Sequence, residues 1–207
     1  MKLRIAKESD YKILADIHME CGKIQPDGFM HQLGLTFLRT YYAILINEKR
    51  SIILLAEDEN DFIHGFCSGT IAAEEHLEEL KKHKVKLAFS LIPALLKSPK
   101  LLKNIIARNK YINTSVKSIK FGVSQGSRCE YWAWRPENKN LTMSMHLFNV
   151  WRNIVFELGS ESIRGEVDML NKYILKIHKI LGAKIIEELN LPDSRNRVII
   201  EYTKKTK

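Results

Sequence analysis

The first third of the chain shows apolar residues at the spacings of strands and helices. Alternation over residues 2–7 predicts a short strand, and Ser9 or Asp10 then provides the N-cap of a first helix. A second helix is predicted from about Asp27, because apolar residues recur every four positions over residues 29–45. Two buried strands joined by an acidic turn follow. The predicted order in this part is therefore β-α-α-β-β.

A basic segment, residues 73–122, separates this part from the rest of the chain. It is predicted to be helical over Glu74–Lys110, with breaks at Pro93 and Pro99. Strands and helices alternate after it, and Gly159 and Gly182 mark two helix ends. These elements are a strand at Arg128–Trp134, a helix from about Asn140, a strand at Ile163–Leu170, a helix at Lys172–Leu181, and strands at Lys184–Leu189 and Val198–Thr203. The second half is thus predicted as β-α-β-α-β-β.

Length and composition limit the class of protein. The chain has 207 residues, which predicts one domain over residues 1–207 with the 73–122 segment as a helical insertion within it. Its three cysteines are scattered without a CxxC pair, so a disulfide scaffold is excluded and a cysteine zinc site is not expected. The sequence starts without an apolar leader, and its longest uncharged stretch near the insertion has ten residues. We therefore expect a cytoplasmic protein without transmembrane helices.

The positive charge is concentrated in one place. The formal net charge is +9, and residues 81–110 carry nine Lys or Arg residues and no Asp or Glu. Three interpretations of this basic segment stay open: a solvated lid, a site for an anionic substrate, or a peripheral contact with an anionic membrane surface. Nucleic acid is not expected as a partner, because the segment has few aromatic residues and no recognition motif.

Two motifs in the second half carry most of the functional information. The strand ending at Trp134–Glu137 (WRPE) leads into a loop, Lys139–Ser144 (KNLTMS), that begins a helix. One strand later, Val167 and Asn171 are followed by a helix at a fixed spacing. The residues of that helix at the spaced positions are Ile174, Ile177, His178, Gly182 and Ala183.

This arrangement resembles the acyl-CoA-binding half of the GNAT N-acetyltransferase superfamily. There, a V-x-P-E turn leads into an R-G-x-G-x-G/A loop, and an Asn-containing strand end leads into a helix that often carries a Tyr general acid. The opening Arg4–Asp10 and the segment Gly28–Tyr42 are similar to the first strand and second helix of a bacterial-type subgroup, here with a long insertion before the central strand. The resemblance implies an α/β fold with a mixed, mostly antiparallel sheet, splayed central strands and flanking helices.

The resemblance also implies a cofactor-binding loop. Acetyl-CoA or another acyl-CoA would be the co-substrate, without a metal, and its pyrophosphate would meet the amides and dipole of a helix N-terminus. Asn140, Thr142 and Ser144 stand where the superfamily has glycines, and Lys139 keeps a positive charge in place of the usual Arg. Asn tolerates left-handed backbone geometry best among the residues other than glycine. The residues assigned to acyl-CoA binding are Trp132, Trp134, Lys139, Asn140, Leu141, Thr142, Met143, Ser144 and Asn171. For the two tryptophans, core packing is the alternative, and for Asn140 and Asn171 it is plain N-capping.

The candidate catalytic residues follow from the needs of acyl transfer. An amine must lose a proton, and the departing thiolate must gain one. By the resemblance, His178 occupies the position of the general acid, and its ordinary pKa near 6.5 suits proton donation near neutrality. Glu130 on the central strand is the first choice for the base. Packing on a helix face is the alternative for His178, and an ordinary ion-paired carboxylate is the alternative for Glu130. The rival bases are Tyr131, Glu166 and Asp168.

The resulting hypothesis is an acyl-CoA-dependent N-acyltransferase that transfers the acyl group directly to a primary amine of a small molecule. An amino sugar or a nucleotide-linked amino sugar is the expected type of acceptor, and a monomer or homodimer is expected. The alternative is a catalytically silent GNAT-like binding module, because the loop contains no glycine.

Overall fold

The structure is a computed structural model that describes residues 1–24, 28–107, 125–190 and 196–204. Seven strands form one sheet in the order β1-β2-β3-β4-β5-β7-β6. All neighbouring strands pair antiparallel except β4 and β5, which are parallel. The strands are β1 (Lys2–Ile5), β2 (Ser51–Glu57), β3 (Ile63–Thr70), β4 (Ser127–Trp134), β5 (Ser162–Asp168), β6 (Lys184–Asn190) and β7 (Asn196–Thr203). The predicted mixed, mostly antiparallel sheet is confirmed.

Helices cover both faces of this sheet. They are α1 (Tyr11–Lys23), α2 (Phe29–Gln32), α3 (Gly34–Asn47), α4 (Ala73–Lys82), α5 (Lys84–Ser90), α6 (Ile92–Lys97), α7 (residues 101–107), α8 (Leu141–Glu157) and α9 (Lys172–Ile180). Short 3-10 turns at Glu8–Asp10 and Pro136–Asn138 precede α1 and α8. None of the helices in the described part of the chain has the length and apolar character that crossing a bilayer requires.

Two of the predicted helices are divided in the structure. The single helix expected from Asp27, which lies outside the described residues, is two helices that meet at Leu33 and Gly34. Gly34 has a φ of +83°, which a residue with a side chain adopts only under strain. The expected break at Pro93 falls at Leu91 instead, because Pro93 lies in the first turn of α6, where its missing N–H costs nothing. The predicted end of the insertion, residues 108–122, lies outside the described residues.

Each face of the sheet has its own apolar core. On one face, α1 and α3 bury residues such as Leu14, Leu38 and Tyr42 against Phe66 of β3. On the other face, α8 packs its predicted stripe, which includes Leu147 and Trp151, against β2 and β3. The indole N–H of Trp151 donates to the Ile52 carbonyl at 2.9 Å, which fixes α8 across the sheet. Gly69 allows this close packing, because a Cβ there would lie 2.4 Å from the Trp151 ring.

The two central strands separate soon after they begin. β4 and β5 pair only through Ser127 with Ile163 and Arg128 with Arg164, near the start of each strand. Beyond these pairs, the strands continue to Trp134 and Asp168 without pairing to each other. A gap therefore opens toward the carboxyl ends of both strands, as the sequence analysis predicted for the central strands.

A β-bulge lies on β4 beside this gap. Gly69 of β3 pairs with Cys129 and Ser68 pairs with Tyr131, so Glu130 is the extra residue on β4. Tyr131 contacts the core formed by α1 and α3, whereas Cys129 and Trp132 contact the core formed by α8. Bulges redirect side chains next to functional sites. Glu130 lies on the side of β4 that is covered by α3 and α4, and the bulge brings Tyr131 to that side as well.

Two buried histidines are expected to make the stability of the fold depend on pH. His18 of α1 contacts the Tyr42 hydroxyl through Nδ1 at 2.7 Å and stacks on the Tyr131 ring at 3.7 Å. Burial lowers the pKa of His18 from 6.5 to about 3. His178 of α9 is also buried, and its pKa falls to about 4 for the same reason. Both rings are therefore neutral in the folded protein at pH 7.

We expect the protein to lose stability as the pH falls from about 6.5 to 4. In that window the unfolded chain binds protons at these histidines and the folded chain does not, so the free energy of unfolding decreases. For His18 the loss by pH 4 is on the order of 3 kcal/mol. His18→Gln should make the Tm less dependent on pH, whereas His146→Gln, at an exposed position, should not. If the slope of Tm against pH were equal for the wild type and the His18→Gln variant, this expectation would be contradicted.

Candidate functional site

The open end of the gap is surrounded by two helix N-termini. β4 ends at Trp134 and α8 begins at Leu141, while β5 ends at Asp168 and α9 begins at Lys172. Because β4 and β5 are parallel, both helices begin at the end where the strands have separated. Each helix N-terminus presents unpaired amides and a partial positive charge. The site is thus a cleft between two strands with an anion-binding edge.

The loop before α8 provides the N-cap of this helix, and the amides that follow the cap have no partner within the helix. The Asn140 side chain accepts a hydrogen bond from the Met143 amide at 3.0 Å, so Asn140 is a capping residue. Its φ is −138°, which is extended backbone, and the left-handed tolerance considered from the sequence is not used. The amides of Leu141 and Thr142 lie in the first turn, where the helix offers no acceptor. Lys139, Leu141 and Thr142 are exposed, whereas Ser144 is buried.

Asn171 has the same role at the start of α9. Its side chain accepts from the Ile174 amide at 3.2 Å, so the capping interpretation describes its contacts. It is only partly buried. A role in holding the cofactor arm would come in addition to the cap.

The two tryptophans of β4 pack on the α8 side of the sheet and approach the cleft differently. Trp132 stacks on Phe148 of α8 at 4.7 Å, and its indole N–H is buried without an acceptor among the described residues. Trp134 donates its indole N–H to the Asn138 carbonyl at 2.7 Å, which ties β4 to the turn before α8. Trp132 is therefore the tryptophan with a hydrogen-bond donor to offer a ligand, and Trp134 shapes the loop.

His178 lies in an aromatic cluster on the same side. Its Nδ1 is 2.7 Å from the Tyr202 hydroxyl, and the rings of Trp132 and Phe148 meet its ring edge-to-face at 5.6 Å. The side chain is buried, and desolvation lowers its pKa to about 4. The aromatic cluster disfavours the charged ring, so the pKa of His178 lies below the ordinary value near 6.5. At pH 7 His178 is a neutral imidazole, whose N–H remains a hydrogen-bond donor.

Glu130 belongs to a buried ionic cluster on the opposite side. Arg128 donates two hydrogen bonds to its carboxylate, and His76 Nε2 of α4 lies 3.5 Å from Glu130 Oε1. The Nδ1 of His76 is 2.6 Å from Glu48 Oε2. Burial raises the pKa of the neighbouring Tyr41 hydroxyl, and the charge of Glu130 adds to this effect. Two carboxylates, one imidazole and one guanidinium thus meet under the bulge.

The sequence analysis missed His76, Glu48 and Arg128. Glu48 and His76 are 28 positions apart and lie on either side of the β2–β3 hairpin, so no local spacing connects them. The alternation on β4 would place Arg128 and Glu130 on one side and Tyr131 on the other, and the bulge changes this pattern. Arg128 two residues before Glu130 was the available signal for an ion pair.

The rival bases have other contacts. Glu166 accepts from Arg197 at 3.1 Å, and Asp168 Oδ1 accepts from the Leu170 amide at 2.9 Å. Tyr131 is buried against His18, and desolvation raises the pKa of its hydroxyl. Of the candidates, Glu130 is the carboxylate that lies on the bulge of the cleft strand.

A cavity of about 460 Å³ lies between α2 and the insertion. Its walls include His31, Gln32, Lys100 and Asn104 together with Leu101, so polar and apolar groups both line it. It lies on the side of the sheet that carries α1, α3 and the Glu130 cluster. Within the described ranges, no group of three or more His, Cys, Asp or Glu residues is arranged to hold a metal ion.

Comparisons with solved structures show the fold. An aminoglycoside 6'-acetyltransferase type Ii superposes with a TM-score of 0.58 and 12% identity over 98% of this chain and 97% of its own. The yncA protein of Salmonella typhimurium, solved with its cofactor acetyl-CoA, gives 0.60 and 10% over 98% and 93%. A spermidine N-acetyltransferase chimera from Vibrio cholerae gives 0.57 and 13% over 98% and 96%.

No family model matches the sequence, and no curated protein matches it. The resemblance found in the two motifs is nevertheless confirmed at the level of the fold: the chain has the GNAT acetyltransferase fold over nearly its whole length. The long insertion as the mark of a subgroup stays a prediction.

Proposed function

We propose that the protein is an acyl-CoA-dependent N-acyltransferase that transfers an acetyl group from acetyl-CoA to a primary amine. The observation that carries this proposal is the cleft between β4 and β5 with the N-termini of α8 and α9 at its open end. A parallel pair that separates after two residues leaves backbone amides and carbonyls unpaired along both strands. An amide-bearing, extended ligand with a diphosphate at its end satisfies both parts of the cleft.

The binding residues follow from this placement. The first-turn amides of Leu141 and Thr142, with the exposed Lys139, would hold the pyrophosphate. The pantetheine arm would pair with the free edges of β4 and β5, as an added strand does. The indole N–H of Trp132, buried without an acceptor, would donate to the same ligand. Acetyl-CoA supplies an activated acyl group, and the protein would hold it near the two sets of proton-transfer groups.

The base is assigned to Glu130. The amine must be neutral to attack a thioester carbonyl, so its proton must pass to a nearby acceptor. The carboxylate lies at the bulge, on the side of β4 that α3 and α4 cover, and Arg128 fixes its orientation. His76 and Glu48 stand behind it and position the cluster.

The acid is assigned to His178. It packs beside Trp132 on the other side of β4, so the base and the acid lie on opposite sides of the strand. As a neutral imidazole it would stabilise the departing thiolate with a hydrogen bond from its Nε2–H, while the Tyr202 hydroxyl donates to Nδ1, and the thiolate would take up the proton that the amine loses. The aromatic cluster excludes water from this side.

The acceptor is proposed to be a small amine that carries negative charge, such as a nucleotide-linked amino sugar. Two structures of this fold are named for an aminoglycoside and for spermidine. Those acceptors are polycations, and the lysines of the insertion would repel them. The cavity beside α2 has Lys100 in its wall, and this positive charge suits an anionic group instead. Thiol release with amino sugars, nucleotide sugars, amino acids and polyamines tests this assignment.

The cofactor site is tested with Leu141→Pro. Position 141 is the first residue of α8, where proline is favoured, and the backbone of Asn140 lies outside the α region that a following proline disfavours. The substitution removes one amide donor and keeps the helix. We expect the acetyl-CoA affinity, measured by isothermal titration, to fall by roughly 10- to 100-fold, the value of one hydrogen bond to a charged group.

The matched control is Leu141→Ala, which removes the same exposed side chain and keeps the amide. It should bind acetyl-CoA as the wild type does, and both variants should keep the wild-type Tm. If the two variants bound acetyl-CoA with equal affinity, the pyrophosphate would not bind at this amide. No binding by the wild type would favour the silent binding module, the alternative that the glycine-free loop suggests.

A further inference from the structure

The insertion has apolar side chains on two opposite surfaces. Its inner surface packs on the core of α1 and α3 through residues such as Leu87, Leu91, Leu95 and Leu101. This contact is enough to attach α5, α6 and α7 to the domain. An ordinary surface helix would carry polar residues on the rest of its circumference.

The outer surface of α5 and α6 is also apolar. Val85 and Phe89 of α5 are four positions apart, and so are Ile92 and Leu96 of α6, so each pair lies on one side of its helix. They are 59%, 68%, 46% and 79% exposed. Leu102 and Ile106 of α7 extend the set and are also exposed. Scattered exposed leucines are common, but a stripe of this kind on which none of the described residues packs marks an interaction surface.

Lysines surround this stripe. All seven described lysines between residues 81 and 107 are exposed, and the sequence has no acidic residue between 81 and 110. The members are Lys81, Lys82, Lys84, Lys86, Lys97, Lys100 and Lys103. Lys82 pairs with Glu79 of α4 at 2.8 Å. The acidic residues Glu74, Glu75 and Glu78 lie toward the start of α4, before the stripe begins.

We propose that this outer surface of α5, α6 and α7 binds peripherally to an anionic lipid bilayer. The apolar stripe would enter the boundary between headgroups and acyl chains, and the lysines would contact lipid phosphates. A second copy of the chain is a poor occupant, because it would bring two sets of lysines together. A nucleic acid would neutralise the lysines but leave Phe89 and Leu96 in water. The proposal does not depend on acyl transfer.

Sedimentation with vesicles tests this surface in the full-length protein. The wild type should sediment with phosphatidylcholine vesicles that contain phosphatidylglycerol and not with phosphatidylcholine alone. The Lys84→Gln/Lys86→Gln/Lys97→Gln variant should lose about a hundredfold in vesicle affinity. The Phe89→Ser/Leu96→Ser variant should lose roughly tenfold or more, because its charge is intact but its apolar insertion is removed.

Two controls make the result decisive. The Lys12→Gln/Lys49→Gln/Lys184→Gln variant loses the same charge from exposed positions elsewhere and should bind vesicles nearly as the wild type does. Retention of wild-type Tm in all variants excludes unfolding. The proposal is overturned if the two lysine variants weaken equally, if the Phe89 and Leu96 variant binds normally, or if the wild type does not sediment. The proposal is also overturned if the Lys84→Gln/Lys86→Gln/Lys97→Gln variant binds vesicles as the wild type does but has an increased KM for an anionic amine.

Discussion

Replacement of Glu130 by Gln is expected to lower kcat by roughly 10²- to 10⁴-fold, the usual contribution of a general base. The amide keeps the shape of the carboxylate and still accepts a hydrogen bond from Arg128, but it cannot take a proton from the amine. Acetyl-CoA binding should be almost unchanged, because the cofactor contacts lie on α8 and on the strand edges. Steady-state kinetics and isothermal titration measure the two effects separately.

The matched control for this variant is Glu201→Gln. Glu201 is also a half-buried strand carboxylate that accepts from an arginine, Arg164, at 2.9 Å, but it lies on β7. Its variant should keep nearly the wild-type kcat, which would show that loss of an ion pair alone does not stop catalysis. Glu166→Gln decides between the rival carboxylates. If Glu166→Gln loses activity and Glu130→Gln does not, the base has been assigned to the wrong strand.

Replacement of His178 by Ala is expected to lower kcat by roughly 10²- to 10³-fold at pH 7, with a small effect on acetyl-CoA affinity. The reason is the loss of the N–H that would hydrogen-bond and stabilise the leaving thiolate. Since the pKa of His178 is about 4, the wild-type kcat should not change through this group between pH 6 and 8. If the charged ring were the donor, kcat would fall tenfold for each pH unit above 4.

The Tyr202→Phe variant tests whether the Tyr202 hydroxyl orients the His178 ring. It removes the hydroxyl that contacts Nδ1 at 2.7 Å and leaves the aromatic packing in place. We expect an intermediate loss of kcat with an unchanged KM for acetyl-CoA. A normal kcat in a folded His178→Ala protein would favour the packing interpretation of this residue. A flat pH profile together with that result would remove His178 from the mechanism.

Local patterns were sufficient for most of the fold. The helix from Asn140 and the strands at the end of the chain occur at or near the predicted residues, because caps and alternation are local signals. Gly34 was not recognised as a break, since the apolar period runs through it without interruption. The separation of β4 from β5 entered through the resemblance, because strand pairing depends on residues far apart in the chain.

The candidate site was less accessible from the sequence. Residues next to a motif, such as Asn140 and Asn171, could be placed because their caps are local. The environment of His178 could not, because its aromatic neighbours come from β4, α8 and β7, and these lower its pKa. The cluster of Glu130 with His76 and Glu48 depends on a bulge and on a contact between distant elements. No spacing in the sequence encodes either.

The short pairing of β4 with β5 also divides the sheet into two parts that are weakly joined. Four strands lie on one side of that joint and three on the other, and two residue pairs connect them through the sheet. Local opening in proteins follows boundaries of this kind, and amide hydrogen exchange reports it. Through the sheet the two parts are joined only by these pairs, while the core under α8 spans both, and a ligand seated between β4 and β5 would add contacts across the joint. We therefore expect ligand binding in the cleft to make the whole sheet more rigid.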